Sequence, residues 1–276
     1  MNQPVLKGQQ AVVTGGSGVL GRAMALALAE DGATVLLGTR SASSAQKALE
    51  AVVADHPQAE SLLNRIQPLA FDVLDPDSLR QAAHQVEDLG GAGILVNAAG
   101  GNRPAASTAP DRDFFALDLS AIEEVMDLNF HGTLRTTQAF AAGMARRGQG
   151  CIINITSMAA VRPLTKVIGY SASKAAVVNF TQWLAVHLAQ THGPGLRVNA
   201  IAPGFFLTEQ NRYLMLRDDG SLTERAQTIL AHTPQNRFGA PDDLLSTLRW
   251  LVSPASAFVT GTIIPVDGGF SAFGGV

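Results

Sequence analysis

The chain has 276 residues, 46 % of them hydrophobic, with a formal net charge of −3 and one cysteine. That length suits a single α/β domain with room for a sizeable core. The charge gives no electrostatic case for nucleic acid or an acidic membrane, and one cysteine, Cys151, inside an apolar run builds no disulfide framework.

No apolar run approaches the roughly 20 residues of a membrane span, and no basic segment followed by an apolar stretch opens the chain. A soluble, cytoplasmic protein is therefore expected. In chain order, apolar runs predict strands near 10–14, 34–38, 66–71, 93–97, 150–155, 196–201 and 262–266. Helical patterns fall between them at 20–31, 43–55, 76–89, 119–147, 169–192 and 241–252. This alternation predicts one domain over 1–276, an α/β doubly wound parallel sheet of about seven strands with helices on both faces. Residues 205–240 are the least regular stretch and are expected to form a small substrate lid with a helical centre. In such sheets ligands bind beyond the carboxyl ends of the strands. Thr14, Asp72, Asn97, Ser157 and Pro203 all follow predicted strand ends, which puts them at one rim.

Two motifs carry chemistry. The first follows the strand Gln10-Ala11-Val12-Val13, where Gly16-x-Gly18-x-x-Gly21 has the G-x-G-x-x-G spacing between a strand and a helix. Glycines there let the backbone approach a pyrophosphate, and the helix N-terminus offers unpaired N–H groups. Gly15, Ser17, Gly18, Val19 and Leu20 become candidate cofactor contacts in a Rossmann-like fold. The second motif is Tyr170-Ser171-Ala172-Ser173-Lys174, with Ser157 thirteen residues before the tyrosine. Residues i and i+4 share a helix face. Bringing a tyrosine pKa from about 10 to near 7 needs roughly 4 kcal/mol, which a close ammonium and a cationic cofactor ring could supply in a partly desolvated cleft.

On these motifs the chain resembles the short-chain dehydrogenases/reductases nearly end to end. The family glycine pattern is T-G-x-x-x-G-x-G; this chain has Val19 at the middle glycine and Gly18 one residue earlier, so the path of the loop is expected to differ in detail. The resemblance implies that Asp72 and Val73 meet the adenine and that Asn97, Ala98, Ala99 and Gly100 close over the cofactor. It implies that Pro203, Gly204, Phe205 and Thr208 lie at the nicotinamide amide. It makes Ser157 and Tyr170 the partners of a substrate carbonyl, with Tyr170 the general acid/base. Lys174 would lower the tyrosine pKa and hold the nicotinamide ribose, and Asn129 would order a proton-relay water. Where NAD enzymes place an acid for the ribose hydroxyls, the chain has Thr39 followed by Arg40, eighteen and nineteen residues after Gly21. NADP(H) is therefore favoured and NAD(H) left open. A homotetramer paired through long helices at 120–146 and 169–192 is also implied.

Segments 98–102, 157–165 and 202–211, with 229–234 and 265–271, resemble a narrower group, the D-mannonate oxidoreductases (fructuronate reductases). This implies a small sugar-acid substrate. Its carboxylate needs a cation, and Arg162 is the first choice because it lies with Lys166 between Ser157 and Tyr170; Arg103 and Arg212 are further basic residues near the site. Asn102, Gln210 and Asn211 are candidates for its hydroxyls, and His131 is either pocket-facing or a satisfied core histidine. The histidines and acids show no metal-ligand spacing, so no catalytic metal is expected. Another keto sugar, a polyol or a ketoacyl substrate stays open, as does a cofactor-sensing regulator without turnover. The regulator would be expected to lose Tyr170 or Lys174.

Overall fold

Side chains alternate along a strand, so a strand covered on both faces is apolar along most of its length. β1 (Gln10–Val13), β4 (Ile94–Asn97) and β5 (Gly150–Ile155) are of this kind. Ala11, Val13, Ile94, Val96, Cys151 and Ile153 belong to one core, and Val12, Leu95 and Ile152 to the other. With β2 (Thr34–Thr39), β3 (Ile66–Ala70), β6 (Leu196–Pro203) and β7 (Ile263–Val266) they form a seven-stranded sheet in the order β3-β2-β1-β4-β5-β6-β7. Every neighbouring pair is parallel. The computed structural model describes residues 5–55, 57–208 and 211–275.

Helices cover both faces. α1 (Val19–Glu30) and α9 (Leu245–Val252) bury Met24, Leu28, Leu248 and Leu251 against one face. On the other, α3 (Pro76–Asp88), α5 (Gly132–Arg147) and α6 (Ile168–His192) contribute Leu79, Val86, Phe140, Met144 and Leu184. Each such side chain contributes about 1.5–3 kcal/mol relative to leaving it in water. α2 (Ala42–Asp55) flanks β2 and β3. Helix ends follow local chemistry. Asp75 accepts from the backbone N–H groups of Asp77 and Ser78 while Pro76 takes the first helical position, and α5 stops at Gly148, whose φ of 65° is left-handed. No helix among the described residues is long and apolar enough to cross a membrane.

The helix predicted at 119–147 is interrupted. α4 (Leu119–Met126) and α5 are joined by a π-helical turn over Asp127–His131. The wider turn carries Asn129 and leaves the apolar pattern on either side intact, which is why the sequence reads as one helix. The helix expected from 241 opens with a 3₁₀ turn, Pro241–Leu244, before α9 begins. The described residues of 205–240 hold two short helices, α7 (Arg212–Met215) and α8 (Glu224–Ala231), around a small core of Met215, Ala226 and Ile229.

The chain winds outward from β1 to β3, then returns to start β4 on the other side of β1. That reversal opens a crevice at the carboxyl ends of β1 and β4, where doubly wound sheets hold ligands. Thr14 spans it: its N–H donates to the Val96 carbonyl, and its Oγ1 accepts from the N–H groups of Ala98 and Ala99, each at 2.9 Å.

Candidate active site

The glycine turn after β1 leaves no room for a side chain at Gly15 or Gly21. Gly15 has a left-handed φ of 70°, and a Cβ there would lie 2.7 Å from the Ala98 carbonyl oxygen. A Cβ on Gly21 would strike the Gly15 carbonyl oxygen. α1 starts at Val19 with Gly18 as its N-cap and no capping side chain, so its first N–H groups remain available at the crevice. These features fit a pyrophosphate: close backbone approach, unpaired donors and the positive end of a helix dipole. Gly15→Ala is expected to cost about 1–3 kcal/mol through the disfavoured φ and the backbone collision. A lowered denaturant midpoint together with weakened dinucleotide binding checks this; an unchanged midpoint would contradict it.

The crevice is a cleft of about 470 Å³. Gly15, Ser17, Gly18, Val19 and Leu20 line one end, with Ala98, Gly100 and Asn102 beside them. Ser157, Tyr170, Lys174, Pro203, Gly204, Phe205, Thr208 and Asn211 line the rest. β5 ends just before Ser157, whose Oγ accepts from the Ala159 N–H at 3.1 Å, and the first turns of α6 present Tyr170 and Lys174. Lys174 is 5 % exposed and its Nζ donates to the Ile155 carbonyl at 2.8 Å, 5.7 Å from the centre of the Tyr170 ring. Burial lowers the Lys174 ammonium to about 8. Burial also raises the half-buried Tyr170 phenol above its ordinary value, and hydrogen bonding with Ser157 pulls weakly the other way. Burial, and not the Lys174 charge, thus dominates the tyrosine in this structure. A proton donor, a hydroxyl and a buried amine on one wall suit polarisation and protonation of a carbonyl.

Comparison with known proteins agrees with this geometry. The model of the short chain dehydrogenase family matches residues 9–218. The chain belongs to the short-chain dehydrogenases. It is 44 % identical to an uncharacterised oxidoreductase, UxuB, of Bacillus subtilis, over 98 % of both chains. A crystal structure from Haemophilus influenzae, provisionally described as a D-mannonate oxidoreductase with bound NAD, is 40 % identical, covers 98 % of both chains and superposes with a TM-score of 0.88. A gluconate 5-dehydrogenase from Burkholderia cenocepacia, in complex with NADP and tartrate, is 31 % identical over 98 % of both chains with a TM-score of 0.83. The protein is an NAD(P)-dependent short-chain dehydrogenase acting on a CH–OH group.

Several predicted residues of this dehydrogenase do not line this cleft themselves. Asn97 is buried and donates to Thr137 Oγ1 at 3.0 Å and Asn154 Oδ1 at 2.9 Å, tying β4 to β5 and α5. Ala99 is held through its N–H by Thr14. Asn129 is fully buried; its Nδ2 donates to the carbonyls of Gly101 (2.7 Å) and Val125 (2.8 Å), and its Oδ1 accepts from the Gly101 N–H (3.1 Å). A Cβ on Gly100 would sit 2.6 Å from that Oδ1 and 3.2 Å from Lys174 Nζ, so these three residues pack as one unit. Val73 backs onto Gly132, and Asp72 Oδ1 accepts from the Leu74 N–H. Arg40 is exposed after β2, outside the cleft wall.

The basic residues are placed differently from the sequence expectation. Arg162 is exposed and donates to the Ser271 carbonyl at 2.7 Å, Lys166 is exposed at a left-handed φ of 78°, and Arg212 is exposed; none lines the cleft. Arg103 pairs with Glu124 at 2.7 Å, and His131 pairs with Asp127 at 2.6 Å on the π turn, neither facing the pocket nor buried in a core. Gln210 lies outside the described residues. Among the described residues, the charged ones that line the cleft are Lys174 and Arg225, the second carrying no local signal because it lies in the irregular stretch, 55 residues after Tyr170. Leu164, Leu214 and Met215 also line it, and their apolar character in a loop and a short helix gave no signal of a pocket.

Proposed function

We propose that this dehydrogenase interconverts a sugar acid and its keto form, D-mannonate and D-fructuronate, using NADP(H) in preference to NAD(H). The observation that carries the reading is the placing of Ser157, Tyr170 and Lys174 on the same cleft wall that meets the glycine turn. Bound nicotinamide supplies or accepts the hydride. Ser157 Oγ and the Tyr170 hydroxyl donate to the substrate carbonyl oxygen, and Tyr170 gives up its proton as the alkoxide forms. Lys174 keeps its proton at neutral pH and holds the ribose beside Tyr170; Asn129 braces Gly101 and supports the water route. Pro203, Gly204, Phe205 and Thr208 hold the amide, Asp72 and Val73 the adenine, and 205–240 serves as the substrate lid. Thr39 in place of an acid and Arg40 next to it favour a 2′-phosphate. A cytoplasmic homotetramer paired through α4–α5 and α6 completes the proposal.

The sugar-acid assignment draws support from the resemblance to the Haemophilus influenzae structure and from a cleft wall without Asp or Glu among the described residues. The test follows nicotinamide absorbance during reduction of D-fructuronate, with NADPH and NADH in separate runs. Turnover with NADPH faster than NADH is the expected result. A folded protein that binds cofactor yet turns over no fructuronate would remove the substrate and keep the family chemistry; a faster reaction with NADH would remove the role given to Arg40.

A further inference from the structure

Among the described residues, Arg225 is the guanidinium of the cleft that has no carboxylate partner. It stands in the first turn of α8, and its Nη1 reaches Thr165 Oγ1 at 3.4 Å, on the segment between Ser157 and Tyr170. Its Nε is buried and has no hydrogen-bond partner. Among the described residues it has no ion pair with Asp or Glu, in contrast to Arg237 with Asp243, Arg147 with Glu87 and Arg249 with Glu30 and Asp31. Partial withdrawal from water lowers its pKa. Leu164, Leu214 and Met215 line the same cleft. The other charged residue of the wall, Lys174, is already bonded to the Ile155 carbonyl.

A planar fork with a free buried donor matches a carboxylate, which accepts two parallel N–H bonds. We propose that Arg225 binds the substrate carboxylate and so makes this cleft select an acid over an uncharged keto sugar or polyol. The inference rests on the sugar-acid reading for its ligand, but its site is defined by Arg225 alone. Arg162, the nearer candidate in sequence, spends its guanidinium on the Ser271 carbonyl and does not line the cleft.

The experiment separates binding from turnover. The NADPH-loaded protein, which cannot oxidise an alcohol, is titrated calorimetrically with D-mannonate, D-gluconate and tartrate, in the wild type, Arg225→Met and Arg225→Lys. Thermal melts and the NADPH dissociation constant check that each variant folds and holds cofactor. Arg225→Met is expected to weaken carboxylate binding about 10–100-fold, with Arg225→Lys recovering part of it and NADPH affinity unchanged. Equal affinities in wild type and Arg225→Met, or no binding of any of the three acids to the wild type, would overturn the proposal. A loss confined to NADPH would assign Arg225 to the cofactor and overturn it as well. Failure of D-fructuronate turnover in the wild type, with Arg225-dependent carboxylate binding retained, would instead overturn only the named substrate.

Discussion

Tyr170→Phe is expected to lower kcat for carbonyl reduction by about 10²–10⁴-fold, the range typical of losing a positioned general acid. Phenylalanine keeps the half-buried ring at the start of α6 and removes only the hydroxyl that shares its surroundings with Ser157. Cofactor affinity should therefore change little, and the loss should appear in kcat. The pH profile sharpens the test. Reduction uses the protonated phenol, so its kcat/KM falls as pH rises through the tyrosine pKa; oxidation uses the phenolate and rises over the same interval. The variant should show neither limb. Steady-state kinetics in both directions, with fluorescence titration of the cofactor, measure all of this. Near-wild-type turnover in Tyr170→Phe would remove the tyrosine from the reaction.

Lys174→Met should act on turnover and on stability in opposite senses. Turnover should fall about 10²–10³-fold, as for loss of one preorganised charged donor at a reacting centre. Stability follows from linkage. Burial depresses the folded-state Lys174 pKa from 10.5 to about 8, so between those values the unfolded chain binds more protons than the folded one. Stability due to this group is lowest below about 8 and rises with pH towards 10.5, by up to about 3 kcal/mol. Methionine removes that slope. Tyr170 contributes the reverse above about 10, where its raised folded-state pKa makes the folded chain retain its proton longer. Urea titrations between pH 7.5 and about 10 isolate the lysine. A wild-type slope no steeper than that of Lys174→Met would show that the amine is solvated, contrary to its burial.

Much of the architecture was legible because buried parallel strands announce themselves. Ala11-Val12-Val13 and Ile94-Leu95-Val96 are apolar on both faces, and Thr14 and Asn97 mark where each leaves the sheet. The π turn was hidden for the opposite reason: it widens one helical turn without breaking the helix, and no Gly or Pro falls within Asp127–His131 to mark it. At the cleft, Tyr170 and Lys174 could be paired because one helix fixes their spacing, and the glycine turn because strand and helix flank it. No such local rule governs Arg225. Its position depends on how residues 205–240 fold back over the sheet, through the pairing of Phe206 with Gly239 and the packing of Phe205 on Phe270. Arg162 and Lys166 were near Ser157 in the chain yet turn outward, so separation along the chain was a poor guide to separation in space.

The Thr14 hydroxyl that fastens Ala98 and Ala99 joins residues 84 and 85 positions apart. At a synthesis rate of about 5–20 residues per second, Thr14 waits roughly 4–17 s for these partners to be made. During that interval β1 can pair with β2, but its other edge, reserved for β4, stands open. Ala11, Val12 and Val13, all fully buried in the finished sheet, are then an apolar strand edge seeking a neighbour. The β1 edge that bounds the crevice in the finished protein is thus, in the nascent chain, an open apolar seam for mispairing, and a ligand held in that crevice would stabilise only chains that have closed it correctly.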